Sequence, residues 1–153
     1  MGQEIERKFL LRSDAWRLGA TGTRICQGYL SRLPTVRVRT KGQSAFLTVK
    51  GQAEGIVRSE FDYPVPLEDA EAMLDLCQKP LIEKTRYEIW VAGHLWEIDE
   101  FYGDNEGLIL AEIELESEGE SFEQPDWLGR EVTGDVRYYN ARLVEHPFSV
   151  WQT

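Results

Sequence analysis

Charged side chains at alternate positions are the feature of this sequence with the clearest chemical meaning. Residues two apart on a β-strand point to the same face and lie roughly 6.5–7 Å apart. Two carboxylates at this spacing can share one metal ion, and two arginines can bind neighbouring phosphates through their bidentate guanidinium groups. The pairs with this spacing are Glu4-x-Glu6, Arg37-x-Arg39, Arg58-x-Glu60, Lys84-x-Arg86, Glu97-x-Asp99 and Glu112-x-Glu114.

One such pair alone is weak evidence, because most ionic strand faces are solvated or pair with a neighbouring strand. Here at least five segments repeat the arrangement, with few neutral polar residues on the ionic faces and apolar residues such as Val36 and Val38 on the opposite faces. The ionic faces therefore face bulk solvent or line an internal channel. Ionic residues pointing into a closed barrel are costly unless they are paired or occupied by ions. The repetition favours a charged-ligand channel.

The distribution of charge narrows the class of ligand. The formal net charge of −10 argues against general nucleic-acid binding, which needs a positive face. Residues 1–58 contain 11 of the 17 Lys and Arg residues, whereas residues 97–126 contain twelve Asp and Glu and no basic residue. A fold that brings these two regions together would suit a site for both a polyanion and metal ions.

At 153 residues the chain predicts a single domain, spanning 1–153. No apolar run approaches the roughly 18 residues of a membrane span, so no membrane partner is expected. The charged N-terminus passes directly into a strand pattern and does not resemble a signal peptide, which favours the cytoplasm. Cys26 and Cys77 have no metal or redox spacing and are interpreted as reduced thiols.

Period-two alternation dominates the chain and predicts an α+β fold that is mainly antiparallel β. The predicted strands are 4–11, 27–33, 35–41, 45–50, 58–63, 82–92, 95–102 and 109–116. Helical spacing predicts helices at 67–77 and 136–145, and a short helical turn at 13–18. Residues 125–134 are predicted to be a structural loop that leads into the last helix.

The aromatic and histidine residues outside the ionic strand faces are predicted to have structural roles. Trp90, Trp96, Phe101 and Tyr102 are predicted to be core residues and not a base-stacking platform. His94 and His146 have no partner at metal-ligand spacing, so surface roles are expected. Neither a phosphate-binding glycine loop nor a nucleophile elbow is present in the sequence.

The ordered set of charged motifs resembles the CYTH domain, the triphosphate tunnel metalloenzyme superfamily, over the whole chain. The residues that carry the resemblance are Glu4-x-Glu6-x-Lys8, Arg37-x-Arg39, Leu47-Thr48-Val49-Lys50-Gly51, Arg58-x-Glu60, Glu83-Lys84-x-Arg86, Glu97-x-Asp99, Ala111-Glu112-Ile113-Glu114, Trp127-Leu128-Gly129-x-Glu131-Val132-Thr133 and Tyr139-Asn140. One departure is Asp62, where a further glutamate is common in that family.

The resemblance implies an eight-stranded closed β tunnel with a few flanking helices, which binds a small-molecule triphosphate with Mg²⁺ or Mn²⁺. The residues that it implies as metal carboxylates are Glu4, Glu6, Glu112 and Glu114. The phosphate-binding residues that it implies are Lys8, Arg37, Arg39, Lys50, Lys84 and Arg86. It also implies that Arg58, Glu60 and Asp99 are tunnel residues with a secondary role. We predict that Arg58 also contacts substrate.

Catalysis of phosphoryl transfer is mostly positioning and charge neutralisation. Lys50 and Lys84 are candidate catalytic residues, because nearby cations lower a lysine pKa and a neutral amine can accept a proton from water. Tyr29 is a candidate helper. The chain has little sequence beyond the predicted tunnel, which favours inorganic tripolyphosphate. Thiamine triphosphatase, class IV adenylate cyclase and a non-catalytic polyphosphate-binding module stay as alternatives, and a homodimer formed through faces near Trp127 or Trp151 stays open.

Overall fold

A closed antiparallel barrel is the centre of the fold in the computed structural model, which describes residues 2–151. The barrel strands are β1 (Gln3–Leu11), β2 (Thr21–Arg32), β3 (Thr35–Lys41), β4 (Ser44–Lys50), β5 (Val57–Pro64), β6 (Ile82–Val91), β7 (His94–Phe101) and β8 (Ile109–Glu114). Their order is β5-β4-β3-β2-β6-β7-β8-β1, and β5 pairs with β1 to close the ring. The predicted fold class and eight-stranded tunnel are confirmed.

The first strand closes the barrel by dividing its length between neighbours. Residues 3–5 of β1 pair with β5, and residues 6–9 pair with β8. A ninth strand, β9 (Leu128–Glu131), pairs with the last part of β1 through Phe9 and Leu11. The sequence interpretation of residues 125–134 as a loop was therefore wrong for this short segment, because pairing with β1 imposes strand geometry on residues without an alternating pattern.

Strand and helix bounds differ from prediction at a few further places. Strand β2 begins six residues before the predicted start, at Thr21. Helix α1 (Leu67–Leu74) is shorter than the predicted 67–77. The predicted helix 136–145 is two elements, the 3-10 turn Val136–Tyr138 and helix α2 (Asn140–Glu145), because Tyr139 has extended backbone with ψ 132. The other 3-10 turns are Ala15–Arg17, Gly103–Asn105 and Phe148–Val150.

The apolar residues form three clusters, two of them on the outside of the barrel. One covers β1, β7 and β8 with Trp16, Trp96, Leu115 and Trp127. Another holds α1 against β2, β3 and β4. Strand β2 has a glycine at this contact, since a Cβ at Gly28 would lie only 2.7 Å from the Cβ of Cys77.

The third cluster lies at one end of the barrel interior. Inward-facing Tyr29, Ile82, Phe101 and Leu110 come from four strands, and α2 packs on them with Leu143 and Val144. Helix α2 is thereby anchored by apolar contacts directly beside the ionic part of the interior. The packing of a helix into the end of the barrel was not predicted from the sequence.

The structure also tests the predictions made for individual cysteines and aromatic residues. Both cysteines are free thiols, as expected. Trp96 and Phe101 are buried, but Trp90 is 70% exposed and is not a core residue, because it lies near the tip of the β6–β7 hairpin. Trp127 is only 8% exposed and is a core residue, while a homodimer formed through faces near it or near Trp151 stays a prediction. Within residues 2–151, no helix is long and apolar enough to cross a membrane.

The β6–β7 hairpin generates a stability prediction. Its two-residue turn, Ala92-Gly93, has positive φ at both residues, 49 and 84. Such turns prefer Asn-Gly, and an alanine there is strained. We expect Ala92→Asn to raise the free energy of unfolding by about 1 kcal/mol, measured as a shift in the urea midpoint.

The matched control for this variant is Ala72→Asn on the exposed face of α1. Asparagine is a poorer helix former than alanine, so this substitution should lower the free energy of unfolding by roughly 0.5 kcal/mol. A lower midpoint for Ala92→Asn would contradict the strain at the turn.

Candidate active site

A cavity of about 640 Å³ in the barrel interior collects the ionic strand faces. The predicted site residues that line it are Glu4, Glu6, Lys8, Tyr29, Arg37, Arg39, Lys50, Arg58, Glu60, Lys84, Arg86, Glu112 and Glu114. Asp99 is the one predicted residue outside the lining, and it lies in contact with Lys84 and Arg86. The alternation of each strand places these side chains inside and the apolar ones outside.

Four glutamates form one wall of the cavity, on β1 and β8. Glu6 lies directly opposite Glu114 in the strand pairing, and the neighbouring pair is Lys8 with Glu112. Burial, together with the charges of Glu112 and Glu4, raises the pKa of Glu6 well above its ordinary value. Burial raises the pKa of Glu114, and the negative charges of Glu4 and Glu60 raise it further. These carboxylates therefore repel one another and lack enough cationic neighbours to offset the repulsion.

Glu112 behaves differently from Glu6 although the two are neighbours. Burial alone would raise its pKa, but Lys8 and a hydrogen bond donated by Glu6 lower it overall. Its carboxylate also lies 3.6 Å from the guanidinium of Arg86 and 3.9 Å from the ammonium of Lys8. The raised pKa of Glu6 disfavours its ionised form, and a nearby divalent cation would favour it.

The donor set fits a hard divalent cation, because oxygen ligands and uncompensated negative charge are what such cations require. Among residues 2–151, no three Asp, Glu, His or Cys side chains already surround one point closely enough to hold a metal. Mg²⁺ in proteins is usually held by one or two carboxylates together with substrate phosphates and water. The wall formed by Glu4, Glu6, Glu112 and Glu114 matches that mode better than a preformed protein cage.

Arginines from β3 and β5 form another part of the cavity wall, in which Arg58 is the cross-strand neighbour of Glu4. In the part of the chain that the structure describes, the buried Nε atoms of Arg37, Arg39 and Arg58 have no hydrogen-bond partner. Burial, and then the charges of Arg37 and Arg86, lower the pKa of Arg39 to about 10. Buried donors without acceptors and mutually repelling cations are the expected features of a polyanion site.

Asp99 binds the two cations of β6. Its Oδ1 and Oδ2 accept hydrogen bonds of 2.8 and 2.9 Å from Arg86, and its Oδ2 lies 2.8 Å from the Nζ of Lys84. Burial would raise the pKa of Asp99, but Arg86 and Lys84 hold it well below its ordinary range. Burial lowers the pKa of Lys84 to about 8, against the opposing attraction of Asp99. Burial, more than the neighbouring cations invoked from the sequence, is the main cause.

The remaining lysines are held by different partners. Lys50 Nζ donates to both carboxylate oxygens of Glu4 at 3.2 and 3.3 Å and lies 3.4 Å from Glu60. Lys8 Nζ donates to the carbonyl oxygen of Tyr138 at 3.2 Å and lies 5.6 Å from the centre of the Tyr139 ring. These contacts fix the position of each lysine, and both lysines line the cavity.

Sequence reasoning missed several neutral residues of the interior. Thr48 accepts a hydrogen bond from Arg37 at 3.2 Å and donates one to Asp62. Gln27 donates to the hydroxyl of Tyr29 at 3.0 Å, and Asn140 accepts from Lys84 at 2.9 Å. A neutral polar residue on an otherwise ionic face was the available signal for Thr48. No periodicity could place Asn140, because it reaches the interior from a helix.

The two histidines lie away from the cavity. His94 Nε2 is 2.7 Å from the carboxylate of Glu120, and His146 is half-buried beside Pro147. Neither of them lines the cavity. The arrangement as a whole can bind a compact polyanion and divalent cations side by side, as phosphoryl transfer requires.

Comparisons with known proteins agree with this geometry. The family model of the CYTH domain matches residues 2–146. An inorganic triphosphatase of Acetivibrio thermocellus is 49% identical over 151 residues, covering 97% of both chains. An inorganic triphosphatase of Nitrosomonas europaea is 37% identical over 148 residues, covering 92% of this chain and 95% of that one. A solved crystal structure of an inorganic triphosphatase shares 33% identity, with a TM-score of 0.66 and coverage of 92% and 93%.

The arginine wall yields a prediction about stability and ligand binding together. Because the folded state lowers the pKa of Arg39, it disfavours the positive charge relative to the unfolded chain. Arg39→Met should therefore raise the free energy of unfolding by on the order of 1 kcal/mol without ligand. The same variant should show a smaller rise in Tm on addition of tripolyphosphate than the wild type.

Arg7→Met is the control for this experiment, since Arg7 lies outside the cavity and pairs with Glu131 at 2.7 Å. Differential scanning fluorimetry with and without tripolyphosphate measures both effects. An undiminished ligand-induced rise in Tm for Arg39→Met would exclude Arg39 from the polyanion site.

Proposed function

This chain belongs to the CYTH domain family, and we propose that it hydrolyses inorganic tripolyphosphate to pyrophosphate and phosphate with Mg²⁺ or Mn²⁺. The observation that carries the proposal is one cavity that holds mutually repelling glutamates together with arginines whose buried Nε atoms have no acceptor in the described chain. The relatives called inorganic triphosphatases support the choice of substrate.

The cationic residues bind the phosphate chain in this proposal. A triphosphate carries about four to five negative charges, so its binding and its transition state both need many cationic donors. Arg37, Arg39 and Arg58 provide guanidinium groups with free buried donors. Lys8, Lys50, Lys84 and Arg86 add charge from positions already fixed by partners.

The carboxylate wall would hold the cation through Glu4, Glu6, Glu112 and Glu114. When bound there, a divalent cation would neutralise phosphate charge and acidify a coordinated water. Metal binding would require the ionised form of Glu6, which its raised pKa disfavours, since metal-binding carboxylates are ionised. Glu60 holds Lys50, and Asp99 holds Lys84 and Arg86, so both act on the substrate through the cations that they position.

Lys84 fits the role of a charge-bearing donor better than that of a base. At neutral pH a pKa of about 8 leaves it protonated, and Asp99 and Asn140 both accept from its ammonium. A bound triphosphate would favour the ammonium further. Tyr29 can assist, because its hydroxyl oxygen accepts from Gln27 and its own proton is then available to a ligand in the cavity.

The hydrolysis itself is tested with a substrate panel. We expect Mg²⁺-dependent release of phosphate from tripolyphosphate, and complete loss of this release when the metal is chelated. Glu114→Ala should lower kcat at least about 100-fold, while its fold survives because Glu114 is repelled by its neighbours. The exposed Glu118 lies outside the cavity, so Glu118→Ala should leave kcat unchanged.

The other outcomes of this panel separate the alternatives. Faster cleavage of thiamine triphosphate would make the chain a thiamine triphosphatase. Formation of cyclic AMP and pyrophosphate from ATP would make it a cyclase. Tight tripolyphosphate binding without turnover, altered only in affinity by Glu114→Ala, would identify a binding module.

The pH dependence tests the protonation state of Lys84. If the ammonium is the active form, kcat/KM is constant below pH 8 and falls above it, since this ratio reports the free enzyme. Lys84→Arg should be less active at neutral pH but lack the decline near pH 8, because arginine stays protonated. A rise in kcat/KM through pH 8 in the wild type would instead favour a neutral amine that acts as a base.

A further inference from the structure

Asn140, the first residue of α2, is in direct contact with the ammonium of Lys84. We propose that Asn140 is a positioning residue, which orients Lys84 for the hydrolysis of the triphosphate and so couples α2 to the rate of the chemical step. The inference rests on the proposed function and goes beyond it by placing a residue of the C-terminal helix in control of a residue that binds substrate.

The geometry at Lys84 leaves one direction for a ligand. A lysine ammonium has three N–H donors. One is directed to Asp99 Oδ2 at 2.8 Å and one to Asn140 Oδ1 at 2.9 Å. With two donors fixed by these partners, the third has a defined direction, and both Lys84 and Asn140 line the cavity. Without Asn140, the ammonium could rotate about its bond to the last carbon of the side chain.

Gln27 fixes Asn140 in turn. Its Nε2 donates to Asn140 Oδ1 at 3.1 Å and to the Tyr29 hydroxyl at 3.0 Å, and the side chain is fully buried. The Oδ1 atom therefore accepts two hydrogen bonds, which matches its two lone pairs. This network joins two candidate site residues, Lys84 and Tyr29, through a single amide oxygen.

The position of Asn140 is imposed by the chain on both sides of it. Before it, the extended backbone of Tyr139 separates the 3-10 turn from α2, and Tyr138 and Tyr139 contact Lys8. After it, Leu143 and Val144 anchor α2 in the apolar cluster inside the barrel. The segment 138–140 thus contacts two lysines of the cavity, and the apolar anchor limits its movement.

A purely structural role for Asn140 predicts different behaviour from a positioning role. Misorienting Lys84 weakens an interaction that is strongest in the transition state, so kcat falls more than KM changes. A structural role instead lowers Tm with little change in kcat. Asn105 provides a matched control, because it is also buried and accepts a hydrogen bond, from the backbone N–H of Phe148, in a place outside the cavity.

The test compares Asn140→Ala, Asn140→Asp and Asn105→Ala with the wild type, using tripolyphosphate and Mg²⁺. We expect Asn140→Ala to lower kcat at least about 10-fold with KM within about threefold. Asn140→Asp keeps an acceptor for Lys84 and Gln27, so it should recover most of kcat while its added negative charge raises KM. Asn105→Ala should lower Tm and keep the wild-type kcat.

The outcomes distinguish this inference from the proposed function. A wild type that does not hydrolyse tripolyphosphate overturns both. An active wild type with unchanged kcat in Asn140→Ala overturns only the positioning role. The positioning role is also overturned if Asn140→Ala and Asn105→Ala lose kcat in proportion to their loss of Tm. It is likewise overturned if Asn140→Asp is no more active than Asn140→Ala.

Discussion

The buried contact of Asp99 with Lys84 and Arg86 is the interaction on which the rest of the cavity depends. Charges inside a barrel are tolerated only where they are paired or occupied by ions. The side chains of Asp99 and Lys84 are each only 2% exposed, so the charge of Lys84 depends on Asp99, and that of Asp99 on Arg86 and Lys84 together. Asp99 thereby allows β6 to present two cations to the cavity, and Arg86 extends the contact to Glu97 and Glu112.

The other charged residues of the cavity are less well compensated, and this is destabilising for the protein without ligand. The raised pKa of Glu6 and Glu114 and the lowered pKa of Arg39 all indicate that the folded state disfavours their charges. The opposing contribution comes from apolar packing on the outside of the barrel, around Trp96 and beneath α1. This apolar packing stabilises the fold and so allows the interior to keep charges that only a ligand and a cation neutralise.

Much of the fold could be predicted because the strands obey a strict alternation. The same period predicted that Glu4, Arg37 and Glu112 lie on ionic strand faces, and all three line the cavity. The parts that could not be predicted lack a period of their own. Strand β9 exists only through its pairing with β1, and the break at Tyr139 arises from the packing of α2 into the barrel. Asn140 enters the site through tertiary contacts alone.

The cations of the cavity differ in how far the protein itself fixes them. Lys8, Lys50, Lys84 and Arg86 already have protein acceptors, which fix their geometry without substrate. Arg37, Arg39 and Arg58 keep unpartnered Nε donors within the described chain. The first group is preorganised and suits stabilisation of the transition state, where fixed donors need no rearrangement. The second group gains most from the ligand, so it contributes mainly to binding.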